Sequence, residues 1–291
     1  MGRDLAAADD SAAQVFQEAD EILGFSLSRL AWDGPLEVLT ETRHAQPAIL
    51  THSVAVFRVV QDRIGPVSLA AGHSLGEFSA HVAAGTLSFA DALRAVRLRG
   101  ELMFESGQAR PGTMAAVLGM DDQALESLCR DVSTDGSVCV PANFNSGGQV
   151  VISGDVDAVG RAMEAASEAG AKRVIPLNVS GAFHSPLMET AQEGLRTHLR
   201  SISFEDPAFP VVSNVTARPV ADGTAARDLL VEQLTSPVRW AQSVATMVEE
   251  GVDRFLELGP GNVLCGLNRR NARGTECVSL GAPADLEKLD G

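Results

Sequence analysis

Ser74 lies between two glycines in the run Gly72-His73-Ser74-Leu75-Gly76-Glu77-Phe78-Ser79-Ala80. An apolar stretch, 67–71, precedes the run and reads as a buried strand. The small-residue stretch 77–84 reads as an amphipathic helix. A serine in that setting has the geometry of a nucleophile elbow, a sharp strand-to-helix turn that exposes the hydroxyl above a sheet. The glycines permit the tight turn and close packing. The helix start aims backbone N–H groups at any oxyanion formed there. Acyl transfer through a serine ester is the chemistry on offer. A plain tight turn would use the same residues, so the pattern requires a partner.

That partner is a base, because a serine hydroxyl is a poor nucleophile at neutral pH. Six histidines compete for the role. His73 adjoins Ser74, so its side chain leaves the turn in another direction, as a wall of the site. His44, His52, His81 and His198 fall in helical stretches as surface or packed residues. His184, in Ser180-Gly181-Ala182-Phe183-His184-Ser185-Pro186, lies in a loop between a strand and a helix. Catalytic groups concentrate on such scaffold-held loops.

The elements that must position these residues follow from periodicity. Residues 1–108 read as mostly helical, with 51–64 and 89–106 amphipathic at i, i+3, i+4 spacing and 67–71 the one strand. Arg110-Pro111-Gly112 breaks that pattern. Strands at 114–118, 138–143, 149–153 and 173–178 then alternate with helices at 121–132 and 155–169. The order β-α-β-β-α-β is ferredoxin-like. Beyond 180 come helices at 186–201 and 225–234 and strands at 210–214 and 254–258. Gly259-Pro260-Gly261 turns into a further helix, and a polar, loose tail follows residue 282. Strand–helix alternation on both sides of a compact insertion predicts one α/β domain, 1–110 and 181–291, interrupted by a small lobe, 111–180.

Composition narrows the function. The chain has 291 residues, 45% hydrophobic and 21% charged, which describes an ordinary globular enzyme-sized protein. No apolar run approaches the roughly 20 residues of a membrane span. The first residues lack the apolar core of a signal peptide, so a cytoplasmic location is expected. A net charge of −15 argues against nucleic-acid binding. Cys129, Cys139, Cys265 and Cys277 form no CxxC pair and no zinc spacing with the histidines, so all four are expected as reduced structural thiols.

Five runs stand in a telling order: Gly72 to Ala80, Leu98-Arg99-Gly100, Asn143-Phe144-Asn145-Ser146, Gly181-Ala182-Phe183-His184-Ser185-Pro186-Leu187-Met188, and Glu257-Leu258-Gly259-Pro260-Gly261. With them the chain resembles the malonyl-CoA:acyl carrier protein transacylases and, more broadly, the acyltransferase domains of polyketide and fatty acid synthases. The likeness runs from residue 1 to about residue 270. It implies an α/β-hydrolase-like large domain with a ferredoxin-like domain inserted, in agreement with the element order.

The resemblance also implies a ping-pong reaction with malonyl-CoA and acyl carrier protein as partners; no metal or cofactor is expected, and a monomer is expected. Ser74 would carry the malonyl group and His184 would shuttle the proton. The main-chain carbonyl of Gln233 would orient His184, and the Leu75 N–H would form half of an oxyanion hole. Arg99 would grip the malonyl carboxylate, a task for which a planar, permanently charged fork is suited. Read without the resemblance, Arg99 is an ordinary exposed helix arginine beside Arg94 and Arg97. His73, Phe183 and Asn145 would complete the substrate pocket. Leu75 and Phe183 look like the malonyl-selective choices, a bulky Phe183 filling the space an extra methyl needs. Carrier protein in this family is acidic, so a few basic residues should receive it; Lys172, Arg173, Arg269 and Arg270 are the candidates.

One departure sets a further expectation. Relatives begin with a strand and a glycine- and glutamine-rich loop that supplies the second oxyanion N–H, upstream of the match to residues 1–5. The sequence given is therefore expected to start after that loop, through a misplaced start or a truncation, and to lack one oxyanion donor. Two other readings compete. A serine thioester hydrolase would need an Asp or Glu ahead of a C-terminal histidine, and no histidine follows His198. A weakly active or inactive paralogue would bind carrier protein without turnover.

Overall fold

The computed structural model describes residues 1–289. The small lobe shows most directly how patterning builds the site. Strands β2 (Gly112–Leu118), β3 (Cys139–Ser146), β4 (Gln149–Asp155) and β5 (Arg173–Pro176) pair in the order β3-β4-β2-β5, every neighbour antiparallel. With helices Asp122–Val132 and Val156–Glu168 this is the ferredoxin-like arrangement. Alternation along the strands divides the side chains. Ala115 and Val117 of β2 and Val150 and Ile152 of β4 join Leu125, Cys129, Val159 and Ala162 of the two helices in one core. Met114 and Val151 face the other way, against Leu177, Val179 and Phe183. A one-residue slip would exchange the two faces, so the register at Met114↔Ser153 decides what the site sees.

The larger part is helix-rich around a divided sheet. Helices Asp10–Leu23, Thr42–Val60 and Phe89–Ala109 share a core that includes Phe16, Leu50, Val54, Leu93 and Val96. Asp9 and Ser88 cap two of them by accepting N–H bonds from their first turns. Strand β1 (Ala70–Ala71) runs parallel to β6 (Val211–Val212), which pairs antiparallel with β7 (Pro219–Val220); β8 (Arg254–Leu258) runs parallel to β9 (Glu276–Leu280). A cavity of about 980 Å³ has residues of both β1 and β8 in its walls and extends to Ser74 and His184.

Three expectations need correction. The strand at 67–71 is ordered as a strand only over Ala70–Ala71, and its residues are not buried. Among the described residues β1 has a partner on one edge alone, and backbone pairing is what makes an apolar run a strand. The tail after residue 282 is a 3-10 helix, Pro283–Leu289, because Leu286 and Leu289 pack on the main core and Asp285 accepts the Gly281 and Ala282 N–H groups; residues 290–291 of that tail lie outside the described residues. Finally, Cys265 and Cys277 are joined in a disulfide, not reduced. Helix Val263–Asn271 lies against β9 and sets the two Cα atoms 5.4 Å apart, within bonding reach. Cys129 and Cys139 are free and buried.

Candidate active site

Ser74 sits between β1 and helix Gly76–Ala83 with φ 52°, and His184, in the loop before the turn Pro186–Met188, has φ 56°. Left-handed backbone is uncommon outside glycine, and only Ala217 shares it among the other described non-glycine residues. The strain at two of the three positions is thus concentrated on one pair of side chains. Gly72 makes the elbow possible: a Cβ there would lie 1.9 Å from the Gly76 carbonyl carbon. Gly76 itself has open space where its Cβ would be, so the steric demand falls on the first glycine of the pair.

The turn brings Ser74 Oγ within 2.8 Å of His184 Nε2, and His184 Nδ1 lies 2.8 Å from the main-chain carbonyl of Gln233. A carbonyl can only accept, so Nδ1 carries the proton and donates it. Nε2 is then the lone-pair nitrogen that accepts from the serine hydroxyl. His184 is 4% exposed. Burial first, and then the charge of Arg99, push its pKa down from the ordinary histidine range to about 3. The imidazole is therefore neutral at pH 7, as a base must be.

Arg99 is not the exposed helix arginine its neighbours suggested. Helix Phe89–Ala109 carries it inward, where it is 1% exposed. Its Nη2 donates to Ser74 Oγ at 3.0 Å and to Gln233 Oε1 at 2.9 Å, while Nη1 donates to Gln46 Oε1 at 2.5 Å. Its Nε is buried with no acceptor among the described residues. Burial lowers the guanidinium to about 10, partly offset by the Glu77 carboxylate, so it stays charged at neutral pH. Its neighbours Arg94 and Arg97 instead pair with Asp91 and Glu101 on their own helix.

The remaining candidates surround this centre. Leu75 follows the nucleophile at the helix start, and its N–H has no acceptor among the described residues. The Ser74 N–H, by contrast, is committed to Asn214 Oδ1 at 2.7 Å. His73 donates from Nε2 to Asn145 Oδ1 at 2.8 Å and packs its ring against Trp240. Burial holds it below the usual histidine range. His73, Asn145 and Phe183 all line the cavity with Ser74, Arg99 and His184. The His73–Asn145 bond ties the elbow to β3 of the small lobe.

Gln46 and Asn214 escaped the sequence reading. Gln46 lies in helix Thr42–Val60 and Asn214 in the turn after β6, and only the fold brings them to Arg99 and to the elbow. Of the basic candidates, Lys172 and Arg173 are exposed at the start of β5, and Arg269 and Arg270 are exposed on helix Val263–Asn271. Arg270 donates to Gln149 Oε1 across the lobes at 2.8 Å. Among the described residues no group of three or more His, Cys, Asp or Glu side chains could hold a metal ion, and no helix is long and apolar enough to cross a membrane.

A serine on an elbow, its hydroxyl bonded to a neutral histidine and to a buried cation, is an arrangement that an acyltransferase of the serine-ester type would use. The comparisons agree. Residues 1–282 match the model of the acyl transferase domain. The chain is 45% identical over 287 residues to the malonyl CoA-acyl carrier protein transacylase of Bacillus subtilis, covering 99% of this chain and 90% of that one. It is 44% identical to the Escherichia coli K12 protein of the same name, covering 98% and 93%. An acyl carrier protein S-malonyltransferase from Vibrio cholerae superposes with a TM-score of 0.96 at 43% identity, covering 99% of this chain and 94% of that chain. A malonyl-transacylase solved with its type II PKS acyl-carrier protein superposes at 0.94, also at 43% identity and with the same coverage. The chain belongs to the malonyl CoA-acyl carrier protein transacylase family of acyltransferases.

Proposed function

We propose that this chain moves the malonyl group of malonyl-CoA onto the phosphopantetheine thiol of acyl carrier protein through a malonyl ester on Ser74, in the cytoplasm. One observation carries the reading: Ser74 Oγ lies 2.8 Å from His184 Nε2 and 3.0 Å from the buried Nη2 of Arg99. Nucleophile, base and a carboxylate-binding cation converge on a single atom.

The reaction follows from that geometry. His184 Nε2 takes the hydroxyl proton as Oγ attacks the thioester carbonyl. Leu75 N–H donates to the tetrahedral oxyanion. The C–S bond breaks and the leaving thiolate takes the proton from His184. The carrier thiol then gives its proton to His184 and attacks the ester carbonyl, and Ser74 leaves with that proton. Arg99 holds the malonyl carboxylate throughout; its fork has a buried Nε without an acceptor, and a carboxylate accepts two such donors at once. The carbonyl of Gln233 fixes the histidine tautomer without adding a charge. Phe183, packed against Met114, Leu177 and Val179, sets the wall against which the acyl carbon rests and disfavours a branched acyl group.

Mass spectrometry after mixing with malonyl-CoA tests the assignment. A malonyl adduct on Ser74 is expected, absent from Ser74→Ala and formed several orders of magnitude more slowly by His184→Ala. A malonyl adduct on another residue would overturn it.

A further inference from the structure

Among the described residues Glu77 is the one fully buried carboxylate beside the site, and the reaction above does not use it. It is 1% exposed, in the first turn of the helix that starts at the elbow. Its Oε2 accepts the backbone N–H of Asn214 at 3.1 Å and the side-chain amide of Gln233 at 2.6 Å. Both donors belong to residues that hold the reacting pair. Asn214 accepts the Ser74 N–H through Oδ1 at 2.7 Å and donates to the Gly72 carbonyl at 2.7 Å, so it grips the elbow on both sides of His73. Gln233 accepts from His184 through its main chain and from Arg99 through its side chain, and donates to the Ser74 carbonyl at 3.0 Å.

We infer that Glu77 is a positioning residue: one carboxylate oxygen fixes both the backbone that presents Ser74 and the residue whose carbonyl orients His184. The inference rests on the ester mechanism above. Such a bridge matters because the two halves of the pair come from separate parts of the chain. Ser74 and His184 are 110 residues apart in sequence, and Glu77 and Gln233 are 156 apart. A nucleophile and base that drift by about 1 Å can lose about 10²-fold in rate. A buried carboxylate is costly unless its hydrogen bonds are satisfied. Here burial raises the Glu77 pKa to about 7, while Gln233, Asn214 and Arg99 pull it back down. The two donors and the nearby cation are what make a carboxyl group tolerable at this depth.

The test compares Glu77→Ala and Glu77→Gln with the parent by rapid-quench acylation. Malonyl-CoA and acetyl-CoA serve as substrates, and the malonyl-Ser74 endpoint is counted by mass spectrometry. Glu77→Ala is expected to slow acylation about 10²-fold for both acyl groups while the endpoint still approaches one malonyl per folded chain. Glu77→Gln keeps an acceptor oxygen of the same reach, and should recover the rate to within a few-fold. A Glu77→Ala protein whose folded fraction acylates at the parental rate, with only the endpoint or the melting temperature reduced, would overturn the inference in favour of a purely structural carboxylate. So would a Glu77→Gln protein as slow as Glu77→Ala. Absence of any Ser74 adduct in the parent would instead strike the ester mechanism itself.

Discussion

Single residues carry sharply different duties around Ser74 Oγ, and substitution should separate them. Removing the Arg99 guanidinium leaves a malonyl carboxylate unpaired, whereas an acetyl group has no carboxylate to lose. Arg99→Ala should therefore cut malonyl transfer by about 10- to 10²-fold or more, the worth of a charge-assisted hydrogen bond, while acetyl transfer is retained or rises. Transfer assays with both donors check this; equal losses would assign Arg99 to the fold. Arg99→Lys should not restore the parent, because an ammonium cannot serve Gln46, Gln233 and a carboxylate with one planar fork. His184 yields a pH prediction with a definite sign. Its pKa is depressed to about 3 by burial and then by Arg99, so the proton that would disable the base binds only in strong acid. The histidine limb of kcat/KM, which reports the free enzyme, should fall below pH 6.5. A bound malonyl carboxylate neutralises Arg99, so the limb of kcat should lie at higher pH than that of kcat/KM. pH profiles of both constants read this directly, and coincident limbs near 6.5 would refute it.

Elements decide which surfaces meet. The small lobe is joined to the larger part by hydrogen bonds along the C-terminal half of β3. Phe144 and Val238 share a backbone bond at 2.8 Å, Asn271 donates to the Asn145 carbonyl at 2.8 Å, and His73 holds the Asn145 side chain. These contacts close the elbow side of the cavity. The exposed cations stand on two different elements, β5 and helix Val263–Asn271, on a chain whose net charge is −15. If the carrier protein is acidic, as the resemblance implies, such exposed cations are where it would dock. Charge reversal at Arg173 or Arg269 should lower the association rate with carrier protein several-fold at low salt and have a vanishing effect at high salt. Stopped-flow association across a salt series measures it, and a salt-independent effect would place docking elsewhere. Arg270 is a poorer probe, because its bond to Gln149 would be lost in the same substitution.

At the scale of the whole molecule, buried titratable groups link the site to stability. His184 and His81 are depressed to about 3 and about 4, in both cases chiefly by burial, and His44, His52 and His73 are also held below the ordinary value by burial. Between those lowered values and about 6.5 the unfolded chain binds protons that the folded chain does not, so these histidines destabilise the fold as pH falls through that window. Glu77, raised to about 7, acts in the opposite sense between about 4.5 and 7. The histidines outnumber it, so the melting temperature should drop as pH goes from 7 to 5; a rise would show that Glu77 dominates. The same molecule shows where sequence reading reaches and where it ends. Local pattern raised the elbow as one of two readings, since two glycines and a helix start are contiguous, and outlined the ferredoxin-like lobe, since period-2 and period-3.6 patterns are local quantities. The five ordered runs carried the resemblance that implied roles for His184 and Arg99 and, outside the runs themselves, for Gln233. What pattern could not supply was which faces meet. Arg99 carries the same charge as Arg94 and Arg97, and only packing makes it the buried one. Gln46 and Asn214 look unremarkable in their own segments, and Glu77 stands in the elbow run with no chemistry assigned to it, yet hydrogen bonds spanning up to 156 residues of sequence join them to one site. The short β1 and the Cys265–Cys277 bond were decided the same way, by whether a partner edge or a second sulfur lay within reach. Residue type and spacing determined which chemistry was available; distance across the folded chain, which no local period encodes, decided which residues perform it.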